Sequence, residues 1–288
     1  MIYLFSAIAA STLILVSFRI FQKLGIDDFS AITTNYIIGA LFGFSTIGWQ
    51  FSSFSESPER MVILSVITGI LLISGFVFFG LSTRKAGMAI TAISSRMSVI
   101  IPVMLGILVV GDNAGALKIT GIILALIAFW LSLKKEGKIK VPGSAFLIPL
   151  GVFILLGLND SIVKITQHYF LPAGDEQAYI TYAATSFFVA FIIGTAGSVV
   201  RIGNGAGKLN GRSIGAGLVL GMLNWASMFF LLKGLEKMQV SVFIPVLNVS
   251  VVTLSALIGF LVFREKLRPV NWAGIALALL AIVLIAAG

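Results

Sequence analysis

Arg96 stands inside an apolar stretch, Ala92-Ile93-Ser94-Ser95-Arg96-Met97-Ser98. A guanidinium offers five N–H donors in a planar fork that matches the oxygens of a carboxylate or phosphate. Its chemistry here is receipt of an anionic group, or else a structural ion pair or a clamp on helix carbonyls. Thr91, Ser95, Ser98 and Pro102 share one helical face, and Arg96 lies about 100° round from Ser95, so hydroxyls and guanidinium need not serve one ligand. Asn159 and Asp160 precede Lys164. Acid and base at i and i+4, acid first, favour an intrahelical pair; the alternative is that Asp160 faces a cavity, as a proton site or as the partner of Arg96. Asn224, Trp225 and Asn248 complete the ligand-contacting candidates, and Asn224 and Asn248 also suit interhelical hydrogen bonding. Pro102 and Pro245 are candidate hinges, since proline removes a helix hydrogen bond and bends the chain.

Other chemistries are excluded by count or pattern. Cysteine is absent and His168 is the single histidine, so no Cys- or His-cluster metal site is possible, and no cofactor is expected. The hydrolytic patterns HExxH and GxGD are missing, as is the phosphate loop GxxxxGK[ST], so neither an enzyme nor an ATP-driven pump is expected.

The elements that must position these residues follow from composition. Of 288 residues, 58% are hydrophobic and 11% charged, against about 25% charge in a soluble domain, and mean hydropathy is +1.08. Too few charges remain to coat a water-soluble core, so lipid must be the solvent. Ten apolar runs are each close to the length that crosses a bilayer: about 2–18, 31–50, 61–82, 87–110, 115–133, 145–167, 178–200, 212–232, 239–263 and 269–287. They are continuous rather than alternating, which excludes a β-barrel. The first begins without a basic segment and reads as a membrane helix rather than a cleaved leader. The net charge of +9 lies between the runs and reads as topology rather than nucleic-acid binding. Odd-numbered connections carry 14 Lys and Arg against five in the others, which places the odd ones in the cytoplasm and both termini outside. An inner (plasma) membrane location is expected. Two GxxxG spacings, Gly211 to Gly215 and Gly217 to Gly221, predict close helix packing.

The connection from Lys134 to Pro142 divides the runs five and five, giving halves 1–140 and 141–288. Gly121-Ile122-Ile123-Leu124-Ala125 matches Gly274-Ile275-Ala276-Leu277-Ala278 at an offset of 153 residues, which also pairs Asp112 with Glu265 and Arg84 with Lys237. Near the start of each half, the Arg19 to Lys23 segment is similar to that from Lys164 to His168. Five helices is an odd number, so the second half enters from the opposite side. The expected fold is an all-α polytopic membrane protein, ten transmembrane helices as two inverted five-helix repeats. Such repeats give two similar packings with opposite openings.

Two repeated endings, Val109-Val110-Gly111-Asp112 before Gly121 and Val262-Phe263-Arg264-Glu265 before Gly274, carry a family resemblance. With the five-and-five organisation, the chain resembles the drug/metabolite transporter superfamily, of the ten-helix EamA type. The second copy fits that pattern better, because the first has Asp112 and an Asn113-Ala114-Gly115 turn. The resemblance implies a cavity lined by helices 1, 3, 4, 6, 8 and 9. It also implies secondary transport of a small organic solute by alternating access, with export of an amino acid or related carboxylate favoured; Arg96 itself suggests a carboxylate handle. The alternative is an anion exchanger for sugar-phosphates or nucleotide-sugars, which would call for more central cations. Protons as coupling ion, surrounding lipid, a monomer or homodimer, and no nucleic acid complete the expectations.

Overall fold

A first helix, α1 (Ile2–Leu24), opens the chain and ends where Gly25 takes φ +64°, a left-handed conformation natural to glycine. This computed structural model describes residues 2–49, 59–110, 115–133, 143–170, 176–205, 210–235 and 240–287. After α1 come α2 (Asp28–Thr46), α3 (Glu59–Lys85), α4 (Met88–Met97), α5 (Ile100–Leu105), α6 (Ala116–Leu133) and α7 (Gly143–Tyr169). Then follow α8 (Glu176–Gly203), α9 (Gly211–Leu235), α10 (Val240–Leu261) and α11 (Pro269–Ala287). Every regular element among the described residues is helical. Six of these helices are long and apolar enough to cross a membrane, and three shorter apolar helices lie at Ala116–Leu131, Val246–Leu261 and Pro269–Ile285. The lysine-rich connection 134–142 and the Asp112 turn lie outside the described residues.

The fourth apolar run is broken, and Pro102 supplies the reason. Proline has no N–H to return to the carbonyl of Ser98, four residues back. Ile101 N–H takes that carbonyl instead at 3.0 Å, a tighter turn that separates α4 from α5. A π-helical segment, Gly106–Val110, follows directly.

The chain divides into two compact units: Met1–Arg19, Phe78–Gly157 and Ala226–Gly288 form one, and Ile20–Val77 with Leu158–Trp225 the other. In the first, α6 packs closely on α11. Their contact is made of small side chains: Ala125, Ala128, Ala278 and Ala281 are all fully buried, and a Cβ at Gly121 would sit 2.8 Å from Ile285 N. Dispersion between closely approaching backbones holds helices together where no water remains to be expelled. α4 packs against α10 in the same unit.

In the second unit α2 packs along α8. A Cβ at Gly43 would lie 2.7 Å from Ala184 Cβ and 3.3 Å from its Cα, so the backbones meet there. Gly43→Val is therefore expected to destabilise this pair by about 1–3 kcal/mol, read as a lower unfolding midpoint in detergent; an unchanged midpoint would mean the helices can separate freely. On α9, Gly217 and Gly221 pack against Ala31, Thr34, Asn35 and Ile38 of α2, as the GxxxG spacing predicts. Gly211 and Gly215 carry no such contact, because a Cβ at either would meet open space.

Candidate functional site

Most hydroxyls in these helices bond to their own backbone. Thr33, Thr34, Thr83, Thr91, Ser94, Thr181, Ser186 and Thr253 each donate to the carbonyl four residues back. Ser95 does the same three residues back, to Ala92 O at 3.0 Å. The groups that join different helices are fewer.

In the first unit Arg96 Nη1 donates to Asn248 Oδ1 at 2.9 Å. Arg96 lies in the last turn of α4, eight positions past its start, and Asn248 lies eight positions into α10, each about 12 Å along the axis from its helix start. Asn248 is buried and Arg96 half-buried. The Asn248 amide helps to fix the guanidinium's direction. Ser11 and Ser227 share a 2.7 Å hydrogen bond between α1 and α9.

At the helix ends of the same unit stands an arrangement the sequence reading missed. Arg19 donates to Glu265 Oε1 from Nη2 at 2.6 Å and from Nε at 2.9 Å. Met88 N–H donates to both carboxylate oxygens, at 2.9 and 3.0 Å. One carboxylate thus caps the first turn of α4, where backbone donors lack helical partners, and holds a cation from α1. The side chains are 7% and 17% exposed, Glu265 and Arg19 respectively, so water screens them little. Two glycines make room: a Cβ at Gly87 or Gly259 would lie 2.7 Å from Glu265 Oε2. Arg264 takes φ +55° just before it, and Glu265 N–H returns to Gly259 O at 2.9 Å, which turns the carboxylate inward. The sequence signal was the acidic residue closing the second repeat, but that showed no partner.

In the second unit Asn224 Nδ2 donates to Asn35 Oδ1 at 3.2 Å. Asn35 is 1% exposed and its own Nδ2 meets no acceptor, a polar group that calls for a ligand or water. It too was missed, although Thr33-Thr34-Asn35-Tyr36 makes a polar patch inside an apolar run. Trp225 stacks on Phe42, with ring centroids 5.5 Å apart and planes 17° apart. Thr68 and Tyr182 hydroxyls join α3 and α8 at 2.5 Å. Asn159 is buried with Oδ1 unsatisfied, and its Nδ2 reaches the adjacent Asp160 Oδ1 at 3.3 Å. Asp160 is exposed and Lys164 lies within α7.

The structure therefore brings Arg96 to Asn248, Asn224 to Asn35 and Trp225 to Phe42. Arg96, Ser95 and Asn248 belong to one unit, Asn159, Asp160, Asn224 and Trp225 to the other. Pro102 lies in α5 and Pro245 in α10; the Pro245 and His168 side chains are outside the described set. Among the described residues no group of His, Asp or Glu could hold a metal.

Spanning helices whose charged and amide groups bond across helices define a multi-pass membrane protein. Residues 143–287 match the sequence model of the EamA-like transporter family, and the chain belongs to that family. Its family are membrane transporters of small solutes. The chain is 26% identical over 285 residues to an uncharacterized protein of Haemophilus influenzae, a match that covers 96% of this chain and 94% of that one. A solved protein crystal structure superposes with a TM-score of 0.62 at 13% identity, covering 98% of this chain and 94% of that chain; the likeness is one of fold.

Proposed function

We propose that this transporter moves a small organic carboxylate, an amino acid or a close relative, by alternating access, with export the favoured direction. The Arg96–Asn248 hydrogen bond carries the reading. An intramembrane arginine costs roughly 2.5–3.5 kcal/mol by insertion scales, so its place there calls for a purpose. A carboxylate arriving at the guanidinium would suit its planar fork through a bidentate pair. Ser95, Asn159, Asp160, Asn224 and Trp225 are proposed as further solute contacts, and Pro102 and Pro245 as hinges.

The alternating mechanism rests on ten helices in two inverted repeats, 1–140 and 141–288. Supporting it, four pairs of positions 153 residues apart are buried in both halves: Ile122 and Ile275, Ala125 and Ala278, Ala128 and Ala281, Phe129 and Ile282. Arg96 and Asn248, each about 12 Å from the start of oppositely running helices, would meet near the bilayer midplane. The EamA match over 143–287 is in line with a repeat of that extent.

The experiment is a thermal-shift screen of purified protein against amino acids, their amides and sugar-phosphates, since a ligand that binds the folded state raises its apparent stability. Stabilisation by acids and not by amides is expected; stabilisation by sugar-phosphates alone would replace this reading with anion exchange. Asp160 is proposed as the proton-coupling group. Asp160→Asn should abolish accumulation driven by a pH gradient while exchange persists in proteoliposomes; intact accumulation would remove Asp160 from coupling. Both termini are proposed to face outward, so a C-terminal reporter that works only in the cytoplasm should be silent, and an active one would invert the topology.

A further inference from the structure

A second polar cavity lies at the helix ends of the first unit, by the start of α4, about 12 Å along that helix from Arg96. Its volume is about 340 Å³, within the range of ligand pockets, roughly 300–1,000 Å³. Among the described residues that line it, five are cationic, Arg19, Arg84, Lys85, Lys266 and Arg268, and one, Glu265, is anionic. That carboxylate already receives Arg19 and the Met88 N–H. The cations therefore outnumber the acid, and α11 adds the partial positive charge of its first turn beside Arg268. Like charges gathered around one concavity repel each other, and an anion placed among them relieves the repulsion.

The position indicates the kind of anion. The candidate span Val62–Lys85 ends here and the candidate span Met88–Leu108 begins here; if both cross a bilayer, the cavity would stand at the level of its headgroups. Ile90 and Leu267 give it an apolar side, suited to the glycerol or carbon part of a phosphate ester. Guanidinium groups bind phosphate oxygens in pairs and lysines add point charge.

We propose that this cavity binds a phosphate-bearing anion: the headgroup of an anionic phospholipid or a soluble phosphomonoester. The site is separate from the Arg96 solute contact and does not depend on it. The test is a thermal-shift and binding titration of the full-length protein in neutral detergent. The probes are phosphatidylglycerol, zwitterionic phosphatidylcholine and sn-glycerol 3-phosphate. Phosphatidylglycerol should stabilise the protein beyond phosphatidylcholine, with a shift that shrinks as salt rises. An Arg84→Gln/Lys266→Gln variant should bind it roughly 25-fold more weakly, about fivefold per cation removed. Should that variant fail to fold, Lys85→Gln/Arg268→Gln tests the same lining. A matching shift from sn-glycerol 3-phosphate assigns the site to a soluble ester, and its absence assigns the site to lipid. Equal effects of phosphatidylglycerol and phosphatidylcholine with none from sn-glycerol 3-phosphate, or affinity unchanged in the folded variant, would overturn the proposal.

Discussion

Arg96→Ala is expected to lower flux of the native solute by about 10–100-fold in proteoliposomes while the protein still inserts and folds. The magnitude follows from the chemistry lost. A hydrogen bond to a charged group contributes about 1.5–3 kcal/mol, and each 1.4 kcal/mol is about tenfold in affinity. Folding should survive the loss of the Asn248 bond, since Asn248 is a neutral amide on α10 and an unsatisfied amide costs only about 1–3 kcal/mol. Arg96→Lys separates charge from geometry. It keeps the cation but loses the planar fork, so flux should recover only in part. Wild-type flux in Arg96→Ala would reduce the residue to a structural clamp between α4 and α10.

The largest loss of stability is expected from Glu265→Ala. It removes the acceptor for Arg19 and the cap of α4 in one step. Breaking one side of a buried ion pair costs about 3–5 kcal/mol, because the remaining charge stays buried. Arg19 is only 17% exposed, so that charge is poorly solvated. The Arg19→Ala/Glu265→Ala double variant should be more stable than Glu265→Ala alone, since the guanidinium that bonded to the lost carboxylate is gone with it. Glu265→Gln keeps an acceptor for Met88 N–H and should fall between. These differences are read from unfolding midpoints in detergent; a Glu265→Ala protein as stable as wild type would mean that solvent reaches the pair.

What was legible in the sequence was what lipid forbids. A central arginine is rare because it is costly there, so Arg96 announced itself. Asn248 was legible as an amide in need of a partner, but the partner stands 152 residues away, and composition says nothing of which helix faces which. Pro102 signalled a bend, and the break at Ser98 follows from its missing N–H. The Glu265 cap was out of reach for another reason. It depends on a left-handed Arg264 and on two glycines that clear space from separate segments, whereas the sequence offered only an acidic residue after an apolar run. Arg19, at the end of the first apolar run, reads in sequence as one of the basic residues of the first connection. Asn35 was overlooked because a run judged by average hydropathy hides a single amide. The better fit of the second ending to the family pattern agrees with a family match that spans 143–287.

The proposed function turns on Arg96 receiving a carboxylate from the transported solute. Counterflow in proteoliposomes with matched pairs, each an amino acid and the same compound with its α-carboxylate converted to an amide, tests this most directly. The prediction is exchange of acids and not of amides by the wild type, with acid exchange reduced about 10–100-fold in Arg96→Ala. Equal exchange of acid and amide, or acid exchange that ignores the loss of Arg96, would contradict it.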